Sequence, residues 1–149
     1  MSSSENFSPA DALGGRQALG AHVVEEFRRG RAVHLIRSGL PYRAAQSLKE
    51  RLRLSRKDLS RYLAVAPRTL ARRQASRTLA AHESDRLYRL ARVYAKAVQV
   101  LGSEEQAVIW LRHPSTTLGN VAPLTLLETE EGARQVENEL NGIEYNVYA

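Results

Sequence analysis

The chain has 149 residues, a formal charge of +6, 43% hydrophobic residues and no cysteine. That length admits one domain or two small ones. The absent thiols exclude disulfides, thiolate metal sites and cysteine nucleophiles, and fit a reducing cytosol. No apolar run approaches the roughly 20 residues that span a bilayer, and the opening MSSSENFSP has neither the charged n-region nor the apolar core of a signal peptide. A cytoplasmic protein with no membrane partner is expected.

Residues 1–15 are rich in Ser, Gly and Ala without periodicity, and a flexible tail is expected there. Leu19, Val23 and Phe27 then recur at helical spacing among charged residues, giving an amphipathic helix broken near Gly30. This stripe either packs on the protein's own helices or forms a homodimer interface. Ala32–Arg37 is a further apolar piece, and Pro41 opens a helix that buries Ala45, Leu48 and Leu52.

Ser55 is an N-cap, with Asp58 three residues on at the helix's positive end. Leu59 and Leu63 face inward, Ala64–Ala66 turn, and Pro67 opens the next helix. On a helical wheel Arg68, Thr69, Arg72, Arg73 and Ser76 share one arc, with Leu70, Ala71 and Gln74 opposite. Two short helices joined by a tight turn, the second with an arginine stripe, are how a helix-turn-helix presents itself to DNA. The alternative is an ordinary basic surface helix. Arg56, Arg68, Thr69, Arg72 and Arg73 are the candidate DNA-binding residues, because arginine takes phosphate or guanine and threonine bonds phosphate or touches a thymine methyl.

A long helix from Glu83 to Leu101 follows, with Leu87, Leu90, Tyr94, Ala97, Val98 and Leu101 on its apolar face and Gly102 as its cap. Ser103–Gln106 is a capping box for a helix that carries Ala107, Trp110 and Leu111 inward and stops before Pro114. A loop leads to Pro123 and a short helix. Thr129 caps a last helix, whose first-turn Glu130 and Glu131 stabilise its dipole and which is expected to end at Gly142. No strand pattern of any length occurs, so the predicted class is all-α. A flexible tail over 1–15, a helical region with the helix-turn-helix over 16–77 and a second helical domain over 78–149 are expected.

The formal charge hides a split. Residues 41–77 hold eleven Arg/Lys against two Asp/Glu, whereas residues 101–149 hold eight Glu against two Arg. The first block suits a polyanion and the second is repelled by one, which suggests a DNA-facing half and a protein-facing half. His22, His34, His82 and His113 have no metal-ligand spacing. There is no glycine-rich phosphate loop, nucleophile elbow or zinc-protease motif. Neither an enzyme nor a cofactor or metal is expected.

In the second half, SDRLYRLA (Ser84–Ala91), WLRHP (Trp110–Pro114), Leu118-Gly119, Pro123-Leu124, LETEEGAR (Leu127–Arg134), Val136-Glu137 and IEYNVYA (Ile143–Ala149) resemble the Xre/MbcA/ParS-type antitoxins. The resemblance covers roughly residues 33–149. It implies a helix-turn-helix region followed by a small helical toxin-binding domain, and a RES-domain toxin, which consumes or uses NAD, as partner. It further implies neutralisation by occluding the toxin's active site, and autorepression through operator DNA. Asn120 stands where a second glycine is expected. Glu137, Asn138, Asn141, Tyr145, Tyr148 and Ala149 are the candidate toxin-binding residues: polar contacts from the last helix, rigid aromatic area and a terminal carboxylate. The two tyrosines are read either as partner contacts or as folded back on the core, and Trp110 as core. The competing function is a stand-alone helix-turn-helix regulator whose C-terminal half only dimerises.

Overall fold

The computed structural model describes residues 3–148. Among them are ten α-helices: α1 Pro9–Ala12, α2 Gly15–Leu19, α3 Ala21–Arg28, α4 Ala32–Ser38, α5 Tyr42–Leu52, α6 Arg56–Tyr62, α7 Pro67–Ser76, α8 Ala81–Leu101, α9 Glu104–Arg112 and α10 Glu130–Tyr148. Short 3-10 helices occupy Ser3–Asn6, Thr116–Leu118 and Pro123–Glu128. No strand forms among the described residues; isolated bridges join Pro41 to Thr78 and Ser115 to Val121. The all-α expectation holds.

Helix starts follow the caps written in the chain. The side chains of Ser8, Ser55 and Ser103 accept the N–H groups of Asp11, Asp58 and Gln106 at 3.2, 3.0 and 3.1 Å. Thr129 accepts the N–H of Gly132 at 2.9 Å. Each bond satisfies one of the four donors that a helix start leaves open. Pro67 and Pro123 open their helices, and Pro41 sits one residue before α5 as its N-cap.

α8 is the axis of the fold. Ten of its 21 residues are buried, from Glu83 to Val98, too many for one stripe, so several neighbours must cover it. α4 and α1 lie against one part of its surface, and α9 and α10 against another. Leu87, Leu90, Val93, Tyr94 and Val98 meet Leu111, Leu127, Val136 and Leu140 in one continuous core.

Three expectations need correction. The first fifteen residues are not a loose tail over the described stretch. Ala12 and Leu13 are wholly buried, the Phe7 ring meets Tyr94 edge-on at 6.0 Å, and the Gln99 amide donates to the Phe7 carbonyl. Small residues such as Ala10 and Ala12 gave no hydrophobic signal, yet they let α1 lie close on α8. The expected helix with Leu19, Val23 and Phe27 is broken at Gly20 (φ 86, ψ 157) rather than only at Gly30. Its stripe is covered by the protein's own chain: Leu19 is buried, and Phe27 stacks on Tyr88 at 6.0 Å with the ring planes 5° apart. Finally, Gly142 does not end the last helix. It is exposed and keeps a helical backbone, and α10 runs through it to Tyr148.

Two positions explain residues of the LETEEGAR and Leu118–Asn120 segments. Asn120 has φ 64, and its N–H closes the loop onto Ser115 O at 2.8 Å. Asparagine is among the few side chains that take this left-handed conformation cheaply, so the loop forms without the expected glycine. At Gly132 an added Cβ would lie 1.8 Å from the Leu126 carbonyl oxygen, so the first turn of α10 seats directly on backbone. Gly132→Ala is expected to cost about 1–3 kcal/mol, as overpacking of a close-packed site does. A lowered thermal midpoint would show it, and an unchanged one would refute the close seat.

Candidate nucleic-acid and partner interfaces

α6 and α7 meet at a Schellman turn. Ala64 takes φ 57, Ala64 N–H bonds Arg61 O at 3.0 Å and Val65 N–H bonds Ser60 O at 3.0 Å. A small side chain at this left-handed position lets the two helix ends close. Leu59, Leu63 and Leu70 are wholly buried beneath the pair. α6 is further tied to the second half by the Tyr62 hydroxyl, which donates to Leu124 O at 2.9 Å, and by Arg61 against Glu128 at 2.6 Å.

The structure divides the five candidate DNA-binding residues. Arg56, Arg68 and Arg72 are exposed and Thr69 is half-buried. None of the four has an ion pair or side-chain hydrogen bond among the described residues. Arg73 is different. Its Nε donates to Glu83 Oε1 at 2.8 Å, and Glu83, in the first turn of α8, is wholly buried. The same oxygen accepts the Ala80 N–H at 2.8 Å; alanine has no side-chain acceptor to return the bond, so Glu83 alone caps α8. Burial pushes the Glu83 carboxyl up, but the Arg73 guanidinium and the Ala80 N–H outweigh it and hold it below the usual carboxylate range. Oε2 has no hydrogen-bond partner among the described residues; the exposed His82 ring lies 3.8 Å from it. Arg73 therefore fastens α7 to α8. The helical wheel missed this because it places a residue on a face without knowing which neighbour covers that face. It also set Ala71 and Gln74 on the covered side, where the structure exposes both.

The acidic half is less free than its charge suggests. Glu137, taken as a partner contact, has both oxygens bound to Arg92, at 3.1 and 2.9 Å, and Arg92 also reaches Glu130 at 3.1 Å. Glu131 pairs with Arg134 at 3.0 Å. Asn138, Asn141 and Tyr145 remain exposed, Tyr145 at 74%. Because α10 continues as helix, positions 138, 141, 145 and 148 fall at spacings of three, four and three, which is one stripe along the helix. The side chain of Tyr148 and all of Ala149 lie outside the described residues. Trp110 is half-buried against the core, while Ile109 beside it is 52% exposed. Among the described residues no group of three or more His, Cys, Asp or Glu is placed to hold a metal ion, and no helix is long and apolar enough to cross a membrane.

These environments separate two arginines that look alike in sequence. Arg73→Ala strands a buried carboxylate and is expected to cost about 1–3 kcal/mol of stability. Arg68→Ala, on open surface, should stay within about 0.5 kcal/mol of the parent. Urea unfolding of both variants checks the contrast, and equal midpoints would contradict it.

Comparison with known proteins follows the same layout. Residues 31–92 match the antitoxin Xre-like helix-turn-helix domain, and residues 96–145 match the antitoxin Xre/MbcA/ParS C-terminal toxin-binding domain. The two matches meet within α8. Antitoxin Xre of Photorhabdus laumondii is 30% identical over 115 residues, covering 76% of this chain and 78% of that protein. Antitoxin Xre of Yersinia enterocolitica is 32% identical over 94 residues, covering 62% and 64%. Antitoxin Xre of Pseudomonas putida is 38% identical over 74 residues, covering 49% and 46%. Two adjoining family matches, and a relative that aligns with more than three quarters of each chain, show that the protein belongs to the Xre/MbcA/ParS family of antitoxins.

Proposed function

We propose that the protein neutralises a RES-domain toxin in the cytoplasm by direct binding that occludes the toxin's active site, and that it represses its own operon as a dimer on operator DNA. It carries out no reaction itself. The observation that carries the first part is the exposed stripe Asn138, Asn141 and Tyr145 on α10, inside the segment that matches a toxin-binding domain. A RES toxin handles anionic NAD, so its cleft needs cationic groups, and an acidic helix end with rigid aromatic area is complementary to such a cleft. A stand-alone regulator would not need a toxin-binding domain, so the antitoxin reading is preferred.

Tyr145→Ala is expected to weaken binding of the neighbouring-gene toxin by about 2 kcal/mol or more, the range of an aromatic hot spot. Folding should be unaffected, because the ring is 74% exposed. Deleting Tyr145–Ala149 should reduce rescue of toxin-expressing cells while leaving DNA binding intact. Full rescue by the truncated chain would refute the inhibitory role of this helix end.

Repression rests on Arg56, Arg68 and Arg72, exposed arginines of the helix-turn-helix that form no ion pair among the described residues. In a folded Arg68→Ala/Arg72→Ala variant, operator affinity should fall. The slope of log affinity against log salt should drop by about 0.9 per lost phosphate contact, roughly two units in all. Gel-shift titrations across salt concentrations measure it, and an unaltered slope would remove these residues from the interface.

A further inference from the structure

A groove of about 530 Å³ runs beside α7, lined by Pro41, Tyr42, Arg43, Gln46, Gln74 and Arg77. Its walls are the start of α5 and the end of α7. Two backbone bonds hold these together, Tyr42 N–H to Arg77 O at 3.0 Å and Leu79 N–H to Leu40 O at 2.9 Å, and Leu40 N–H to the Ser84 hydroxyl at 2.8 Å anchors them on α8. The groove is therefore preformed. Arg43 and Arg77 are exposed and form no ion pair among the described residues, and no carboxylate lines the groove. With two glutamine amides it offers only donors and neutral acceptors, which is the chemistry of an anion site.

We infer that this groove is a second phosphate-binding stretch of the DNA interface, in which Arg43 and Arg77 grip the backbone at the far end of α7 from Arg68. The inference rests on the DNA-binding reading above and extends it to residues outside the helix-turn-helix stripe. Residues 68 and 77 are separated by about 13 Å along a helix rising 1.5 Å per residue. A recognition helix lies along the major groove, so this separation sets Arg77 and Arg43 against phosphates farther along the DNA than those met by Arg68 and Arg72.

Arg77 also makes the test sharp. It has φ 69, a left-handed helix end where glycine is the easier residue. Arg53 takes the same conformation at the end of α5, so the backbone alone does not mark the groove. It does mean that Arg77→Gly removes the side chain while relieving the backbone, so the variant should melt at or above the parent temperature. The probes are a duplex from upstream of the protein's own gene and a random-sequence duplex of equal length. The Arg43→Gln/Arg77→Gly full-length protein should bind both more weakly by a similar factor, because phosphate contacts carry no sequence information. Its log–log salt slope should be shallower by roughly two units, about 0.9 per contact. If the double variant melts no lower yet keeps the parent's affinity and slope, the groove assignment is overturned. If it melts lower, the single Arg43→Gln variant, on an exposed site, should still lose about one unit of slope, and failure to do so overturns the assignment. If Arg68→Ala/Arg72→Ala loses binding and the groove variant does not, only the groove falls. If the parent binds neither duplex, the DNA reading falls and takes this inference with it.

Discussion

Burial of α8 is the constraint from which the rest of the structure follows. A helix of 21 residues is about 31 Å long, and this one hides ten of them. An isolated helix hydrophobic on that many sides cannot stay in water, so the chain must supply cover from both directions. The N-terminal helices close one part of the surface, and α9, α10 and the turns before α10 close another. The rod also carries polar attachments: Glu83 at its start holds Arg73 of α7, Ser84 holds the start of α5 through Leu40, and Arg92 holds Glu130 and Glu137 of α10. The helix proposed to face DNA, α7, and the helix proposed to face a partner, α10, are thereby referenced to one rigid element.

The charge split acquires a different meaning in three dimensions. Arg51 pairs with Glu104 and Arg61 with Glu128 across the seam between the basic and acidic halves, while Arg92 holds Glu137 within the second half. Arg112 reaches back to the Leu52 carbonyl at 3.0 Å, where it satisfies one of the open acceptors at the end of α5. Ion pairs of this exposure contribute little each to stability, but together they set one half against the other. They also remove charge from the functional account. Left for a partner are exposed arginines without an ion pair among the described residues, Arg43, Arg56, Arg68, Arg72 and Arg77 among them, and the polar and aromatic stripe of α10. Counting charges along the sequence overstated both faces, because it could not tell an exposed Arg72 from Arg73, whose guanidinium is spent on a buried acid.

Elements governed by local rules were legible in the sequence. Serine caps, the proline at the start of α7, the apolar stripe of α8 and the turn at Ala64–Ala66 all depend on neighbours within a few residues, and each appears as read. The resemblance carried by the WLRHP and LETEEGAR segments also led to the right family, and Gly132 supplies a physical reason for one of those glycines. What could not be read were features decided by distant partners. Ala12 is buried because α8 lies over it, although alanine-rich sequence has no periodic signal. Glu137 is engaged because Arg92 stands 45 positions away in the chain. Gly142 looked like a stop because glycine favours helix ends, yet a single glycine costs a helix only about 1 kcal/mol, and α10 already holds three turns on the core before reaching it.

That last difference changes how the C-terminal segment can work on the proposed reading. An extended tail would gain about 3.3 Å per residue, so six residues past Gly142 would reach about 20 Å. As helix they reach about 9 Å. The segment cannot thread a deep, narrow cleft; it must meet the toxin as a short rod whose Asn138, Asn141 and Tyr145 stripe is already set in register by the buried turns of the same helix. The shorter reach is offset by order. A tail that folds on binding gives up conformational entropy at that moment, whereas a helix continuous with the core has given it up during folding, and more of its contact energy is left for affinity. The toxin surface that fits such a rod is a groove wide enough for a helix, open at the protein's edge and cationic at its inner end.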